Sequence, residues 1–178
     1  MIFNSPIFAI FLLIVFAIYW SLNKTLKLQN LFIVVASYFF YGWWDWRFLS
    51  LLFASSIIDF TTAYYIQRSG KISTRKILIA ISLFANLGML GTFKYYDFFV
   101  TSFVTAFAEL GIHLNVSTLN IVLPIGISFY TFQTLSYTIE VYRKRLIATG
   151  DFIAFSAFIS FFPQLVAGPI ERATRLLP

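Results

Sequence analysis

Residues 121–145 read IVLPIGISFYTFQTLSYTIEVYRKR, an apolar run closed by Arg143, Lys144 and Arg145. Placed on a helix, Gly126, Tyr130, Gln133, Tyr137 and Glu140 recur at steps of four and three and form one polar stripe. Ser128, Thr131, Thr134, Ser136 and Thr138 add polarity around it. A helix this polar is costly against hydrocarbon, yet reasonable against other helices or beside a tunnel. Tyr and Gln can hold a carbonyl or hydroxyl by neutral hydrogen bonds, and Glu140 can pair with the basic residues behind it. Interhelical hydrogen bonding alone explains the stripe equally well. Pro124 and Gly126, near its start, permit a kink and a close approach of backbones.

The remainder of the chain agrees with this membrane reading. Its 178 residues are 60% hydrophobic and 11% charged, with a mean hydropathy of +0.83. Ordinary soluble domains run at roughly 45–50% apolar and 25% charged residues, so a water-soluble fold would lack the charges to cover its surface. Disorder fails because the abundant Phe, Ile and Leu would collapse. The expected fold is an all-α polytopic membrane protein with interrupted or re-entrant segments. The net charge of +6 does not indicate nucleic acid, because the basic residues sit in small groups between apolar runs, as they do beside membrane spans. With no cysteine there is neither a disulfide framework nor a thiolate ligand or nucleophile.

A crossing of a hydrocarbon core of about 30 Å takes around 20 mostly apolar residues. The first candidate covers Ile2–Leu22, ending in the interfacial aromatics Tyr19 and Trp20. It lacks the basic start and small-residue cleavage site of a signal peptide. The second covers Leu28–Tyr41, with Gly42 as its terminator and Trp43, Trp44 and Trp46 as an aromatic belt at a tight hairpin. The third covers Phe48–Ile66 and the fourth Ile77–Phe93. Lys94–Asp97 interrupt the pattern, Phe98–Leu110 is short for a crossing, and Gly111–Asn120 reads as a loop. Ile121–Val141 follows, and the last run, Phe152–Ile170, is broken by Pro163, Gly168 and Pro169.

Charge orients these runs. Lys24 and Lys27, and then the Arg68–Lys76 group, fall on one side, taken as cytoplasmic with the amino terminus outside. If Phe98–Leu110 crossed fully, Arg143–Arg145 would fall outside. A re-entrant or interfacial segment there keeps them inside, and that arrangement is expected.

Asp59 sits deep in the third run with Ser55 and Thr62 on neighbouring turns. An ionised carboxylate facing lipid is expensive, so Asp59 should face protein or a water-filled cavity. A packing hydrogen bond or protonation in place is the plainer role, and support of a polar cavity the alternative. Near the end, Gln164 is the evident side chain to satisfy backbone freed by the prolines, while Glu171 and Arg172 suit interfacial ion pairs. His113, the single histidine, has no nearby acidic partner and reads as a surface or interface residue. No metal cluster, phosphate-binding loop or Ser–His–Asp arrangement can be assembled, so no catalytic residue or bound cofactor is assigned.

The run from Leu123 to Gln133, continued by Ser136–Arg143, closely resembles the membrane-bound O-acyltransferase family, nearest to its bacterial alginate O-acetyltransferase branch. Phe162–Arg172 matches a second signature of that branch, through Pro163, Gly168, Pro169, Glu171 and Arg172. The opening segment and Tyr38–Trp43 are similar as well, so the resemblance covers essentially the whole chain. It implies a partial helical fold around a tunnel, with residues 1–178 as an amino-terminal transmembrane portion. The family's catalytic histidine lies downstream of the matched region, and His113 does not correspond to it. Leu176, Leu177 and Pro178 follow an apolar run without a cap, in keeping with that expectation.

For the complete protein the resemblance implies acyl transfer to hydroxyls of an extracytoplasmic polysaccharide, as in alginate biosynthesis, from the bacterial inner membrane. An activated acyl donor would serve as substrate. The partners implied are the lipid bilayer and a polysaccharide-modifying or acyl-carrier protein. Asp59, Tyr130, Gln133, Tyr137, Glu140 and Gln164 would be tunnel or supporting residues in a portion inactive by itself. A transporter or permease portion also accommodates broken spans and buried polar residues, and a non-catalytic membrane scaffold is the third reading.

Overall fold

A computed structural model of the protein describes residues 5–109, 124 and 126–168. Among them every regular element is helical. Two helical stretches, Leu26–Arg68 of 43 residues and Ile72–Glu109 of 38, are long and apolar enough to cross a membrane. The exterior is inverted relative to a soluble domain: Leu13 is 69% exposed and Phe84 83% exposed, faces that suit lipid and place the protein in a membrane.

Helix α1 (Pro6–Ser21) starts where Ser5 accepts the Phe8 N–H at 3.2 Å and proline occupies the first turn, where its missing N–H costs nothing. Gln29 of α2 (Leu26–Asp45) then donates to the Tyr19 carbonyl at 3.2 Å, adding to the Leu22 N–H that this carbonyl accepts at the end of α1.

Helix α2 does not stop at Gly42. It continues through Trp43 and Trp44 to Asp45, whose extended backbone breaks it before a 3₁₀ turn, Trp46–Phe48. The terminator is Asp45: its carboxylate accepts the Arg47 N–H at 3.0 Å and holds the Arg47 guanidinium at 2.7 Å. Gly42 serves packing instead, since a Cβ there would lie 3.0 Å from Leu49 Cδ1. Nor is the turn a tight hairpin of paired helices. From it α2 packs mainly along α7 (Phe152–Ser160), whereas α3 (Leu49–Arg68) packs mainly on α4 (Ile72–Leu90) and α6 (Ile127–Tyr142).

Helix α4 begins at Ile72, earlier than its apolar run, with Arg75 and Lys76 inside its first turns. The charged interruption at Lys94 is no break either. It forms a π-helical turn, Gly91–Tyr95, and the helix continues as α5 (Tyr96–Glu109). A π turn accommodates one extra residue without ending the helix, so the described part of 98–110 continues the helix begun by α4. The expected loop at 111–120 and His113 lie outside the described residues.

Helices α3, α4 and α6 form the centre of the structure. Asp59 faces Ser82 and Ser55 faces Asn86, so α4 runs back along α3. Asp59 also meets Thr138, and Gln67 meets the N–H of Ala148, so α6 runs with α3. Arg75 on Tyr142 and Lys94 on Ser128 bracket the antiparallel α4–α6 contact. Arg68–Lys76 and Arg143–Arg145 therefore share one end of the bundle, as expected from charge. α1 lies on α2, and a Phe8, Phe11, Phe40 and Phe162 cluster, with centroids 5.2 Å apart at Phe40–Phe162, pins the start of α8 (Phe162–Ala167) to them.

Candidate functional site

The middle of α3 carries a polar knot. Asp59 is fully buried, as are Ser55, Ser82, Asn86, Thr134 and Thr138. Its carboxylate accepts from the Ser82 hydroxyl, from Asn86 Nδ2 at 2.7 Å and from Thr138 Oγ1 at 3.0 Å. Asn86 Oδ1 accepts in turn from Ser55 at 2.7 Å and Thr134 at 3.5 Å. Two helices thus deliver three donors to one carboxylate, and among the described residues no ion pair reaches it. A buried carboxylate met by this many donors is a satisfied network, which fixes one helix register. The geometry favours the packing role for Asp59. Thr62, buried on the same face, donates to the Ile58 and Asp59 carbonyls of its own helix at 2.7 and 3.2 Å. Sequence reasoning overlooked Ser82 and Asn86, yet a four-residue spacing of polar residues in an apolar helix was the available signal.

The stripe on α6 is largely a buried face. Tyr130, Gln133 and Tyr137 are 1%, 3% and 0% exposed, and each has a different task. The Tyr137 hydroxyl accepts the Thr149 N–H at 3.0 Å and packs on Phe155 at 4.8 Å, tying down the α6–α7 connection. Glu140 stands 4.0 Å from Arg145, as its position suggested. The Tyr130 hydroxyl has no hydrogen-bond partner among the described residues.

Gln133 repairs a broken helix. In a continuous helix the Phe158 carbonyl would accept from the N–H of residue 162, but the chain turns at Phe161, between α7 and α8. The Phe162 N–H is taken by Ser37 Oγ at 3.2 Å, and the Phe158 carbonyl by Gln133 Nε2 at 2.9 Å. Gln164 stands beside this repair, its Oε1 accepting from the same Gln133 nitrogen at 3.5 Å. Gln133 reaches the freed carbonyl because α6 passes directly behind the break, a tertiary contact absent from local sequence. Pro163 falls in the first turn of α8, and Gly168 caps that helix through its N–H to the Gln164 carbonyl at 3.1 Å.

Gly126 binds the two signature regions together. Its φ is +75°, and a Cβ there would lie 2.8 Å from the Leu165 carbonyl oxygen. Glycine is required on both counts. The predicted close approach is present, but it lies before α6 and does not kink it; Pro124, also before the helix, accepts the Ile127 N–H at 3.3 Å. Pro169, Glu171 and Arg172 lie outside the described residues.

The α7–α8 break borders a cavity of about 660 Å³ between α1, α2 and α7, lined mainly by apolar and aromatic groups such as Val15, Trp20, Phe158 and Phe161. Asn30, Thr149 and Gln164 are among its few polar linings. Of the candidate tunnel or supporting residues, Gln164 lines this space, whereas Asp59, Tyr130, Gln133 and Tyr137 do not. Such a volume with sparse polar groups suits an apolar ligand. Among the described residues no cluster of acidic or imidazole groups could hold a metal ion, and none supplies a histidine to take a proton.

No protein-family model matches the chain, and no solved structure matches it. Among curated proteins it is 38% identical over 174 residues to a probable alginate O-acetylase of Pseudomonas aeruginosa, covering 97% of this chain and 33% of that protein. It is 36% identical to the probable alginate O-acetylase of Azotobacter vinelandii, over 97% of this chain and 34% of the relative. A peptidoglycan O-acetyltransferase of Helicobacter pylori is 30% identical, covering 100% of this chain and 38% of that protein. The chain thus spans about a third of the length of the curated relatives it matches. At the level of the family, the chain is homologous to the alginate and peptidoglycan O-acetylase branch of the membrane-bound O-acyltransferases, over an amino-terminal portion of their length.

Proposed function

We propose that the chain forms the amino-terminal wall of a multi-pass bacterial inner-membrane O-acyltransferase, whose full length moves an acetyl or other acyl group onto hydroxyls of an extracytoplasmic polysaccharide. The observation that carries this reading is similarity along nearly the whole chain to proteins named for O-acetylation of alginate and of peptidoglycan. In the transfer, the acceptor oxygen bonds to the acyl carbon. The bond to the activated donor, a thioester C–S bond for instance, breaks, and the hydroxyl proton ends on the leaving group. A positioned base assists that proton transfer, and we assign it to residues outside 1–178. Gln133 and Ser37 hold the helix break in shape, Tyr137 ties down the α6–α7 connection, Tyr130 packs in the core, and the apolar cavity contributes a dry wall. A polysaccharide-modifying or acyl-carrier protein would be the partner.

The test is deletion of the gene from its host, with ester-linked acetate measured separately on secreted polysaccharide and on peptidoglycan. Loss from one polymer, restored by the full-length gene but not by residues 1–178 alone, is expected. Unchanged acetate on both polymers would remove the proposal, and restoration by residues 1–178 would remove the claim that the base lies elsewhere.

A further inference from the structure

The contacts of Arg75 with Tyr142 and of Gln67 with Ala148 bring two basic segments, distant in sequence, to one end of the bundle. Arg68 ends α3, Lys71 lies in the α3–α4 connection, Arg75 and Lys76 are in the first turns of α4, and Arg143, Lys144 and Arg145 directly follow α6. The nearby acids are already engaged. Glu140 stands beside Arg145 at 4.0 Å, and Asp151 accepts the Ile153 and Ala154 N–H groups at 2.9 and 3.1 Å. Lys71, Lys76, Arg143 and Lys144 make no ion pair among the described residues, and all four are exposed.

At the seam Arg75 is held in place. One guanidinium nitrogen donates to the Tyr142 carbonyl and the guanidinium lies 5.3 Å from the Tyr142 ring, while its buried Nε has no acceptor. A fixed, incompletely satisfied guanidinium amid free cations is suited to phosphate oxygens.

We propose that this basic end is a binding site for the phosphate headgroup of an anionic phospholipid, centred on Arg75 between the α3–α4 connection and the end of α6. The surroundings select a lipid over a soluble phosphate. Tyr65, Ile72 and Ile147 are 60%, 68% and 79% exposed on the same segments, and such side chains gain by lying at headgroup and acyl level. Basic pockets between membrane helices hold anionic headgroups by the same combination. The proposal is independent of which polymer the full-length protein acylates.

Full-length protein, purified in detergent and stripped of lipid, is titrated with short-chain phosphatidylglycerol, phosphatidylcholine and inorganic phosphate. Occupancy is read by native mass spectrometry and stability by thermal melting. Phosphatidylglycerol should bind and raise the melting temperature, phosphatidylcholine should not, and inorganic phosphate should not displace the lipid. Arg143→Gln with Lys144→Asn should weaken phosphatidylglycerol binding by roughly 25-fold, from about fivefold per removed charge. If this variant melts lower without lipid, the charge-keeping pair Arg143→Lys with Lys144→Arg decides, and must bind like the wild type. Equal binding of the two lipids, displacement by inorganic phosphate, or binding by the Gln/Asn variant within about twofold of wild type would each overturn the proposal.

Discussion

Replacing Asp59 separates a structural carboxylate from a chemically active one. Asp59→Ala removes the acceptor of three hydrogen bonds, from Ser82, Asn86 and Thr138. Interhelical hydrogen bonds inside membranes average about 0.6 kcal/mol and reach about 1.7, so their loss comes to about 2–5 kcal/mol. The lower part of that range is favoured. Ser82 and Thr138 can turn back onto their own helices, as Ser56 does onto the Leu52 carbonyl at 2.8 Å, and Asn86 keeps the Ser82 carbonyl at 3.0 Å. Asp59→Asn has the same shape and still accepts from two hydroxyls. Its amide meets the Asn86 amide, which can rotate because the Ser55 and Thr134 hydroxyls accept as readily as they donate, giving up only its bond to the Ser82 carbonyl. A cost below about 1 kcal/mol is expected. The measurement is reversible unfolding of the full-length protein in mixed micelles, paired with acyl transfer per folded molecule. The knot is refuted if Asp59→Ala unfolds within about 0.5 kcal/mol of wild type, or if Asn is as damaging as Ala. A stable Asp59→Asn protein without acyl transfer would instead assign the charge a role in the reaction.

Gly126→Ala forces a left-handed backbone on alanine and sets its Cβ 2.8 Å from the Leu165 oxygen, so destabilisation of at least about 2 kcal/mol is expected in the same unfolding assay; neutrality would refute the contact. Gln133→Ala strands the buried Phe158 carbonyl, at a cost of about 1–3 kcal/mol, and should lower acetyl transfer more than membrane abundance. Equal loss of transfer and abundance in Gln133→Ala would mark Gln133 as structural only. The chain has no cysteine, so the introduced pair Lys94→Cys and Ser128→Cys reports directly on the antiparallel α4–α6 register. Oxidation should cross-link it while the pair Lys76→Cys and Ser128→Cys stays open, and the reverse would refute the arrangement. Single cysteines at Lys71 and Lys144 should label from the same membrane side; labelling from opposite sides would separate the two basic segments.

The apolar runs, their approximate order and the burial of the α6 stripe were legible in the sequence because hydrophobic length and period follow directly from helix geometry. Asp59 was legible as a buried carboxylate, since lipid offers it nothing. Its partners were less so: Ser82 and Asn86 become informative only once α4 is laid antiparallel to α3. The same holds at the α7–α8 break. Pro163 announced an interruption, but the pairing of Gln133 with the freed Phe158 carbonyl depends on a helix passing behind it. Gly42 and Lys94 misled for a shared reason. A glycine weakens a helix and a charge interrupts an apolar run, whereas packing against Leu49 in one case and a π turn in the other carried the helix through.

The order in which the polar knot is completed also constrains how the protein enters the bilayer. Ser82 and Asn86 follow Asp59 by 23 and 27 residues, whereas Thr138 follows by 79. At about 5–20 residues per second of synthesis, Thr138 emerges about 4–16 s after the carboxylate. During that interval α3 alone would expose Asp59 to acyl chains, but α3 and α4 together already supply two of its three donors. The two helices thus form a natural unit of insertion, with α6 arriving later to seal it. A mutation that weakens the α3–α4 half of the knot would accordingly be felt first at the translocon, before there is a folded protein to destabilise.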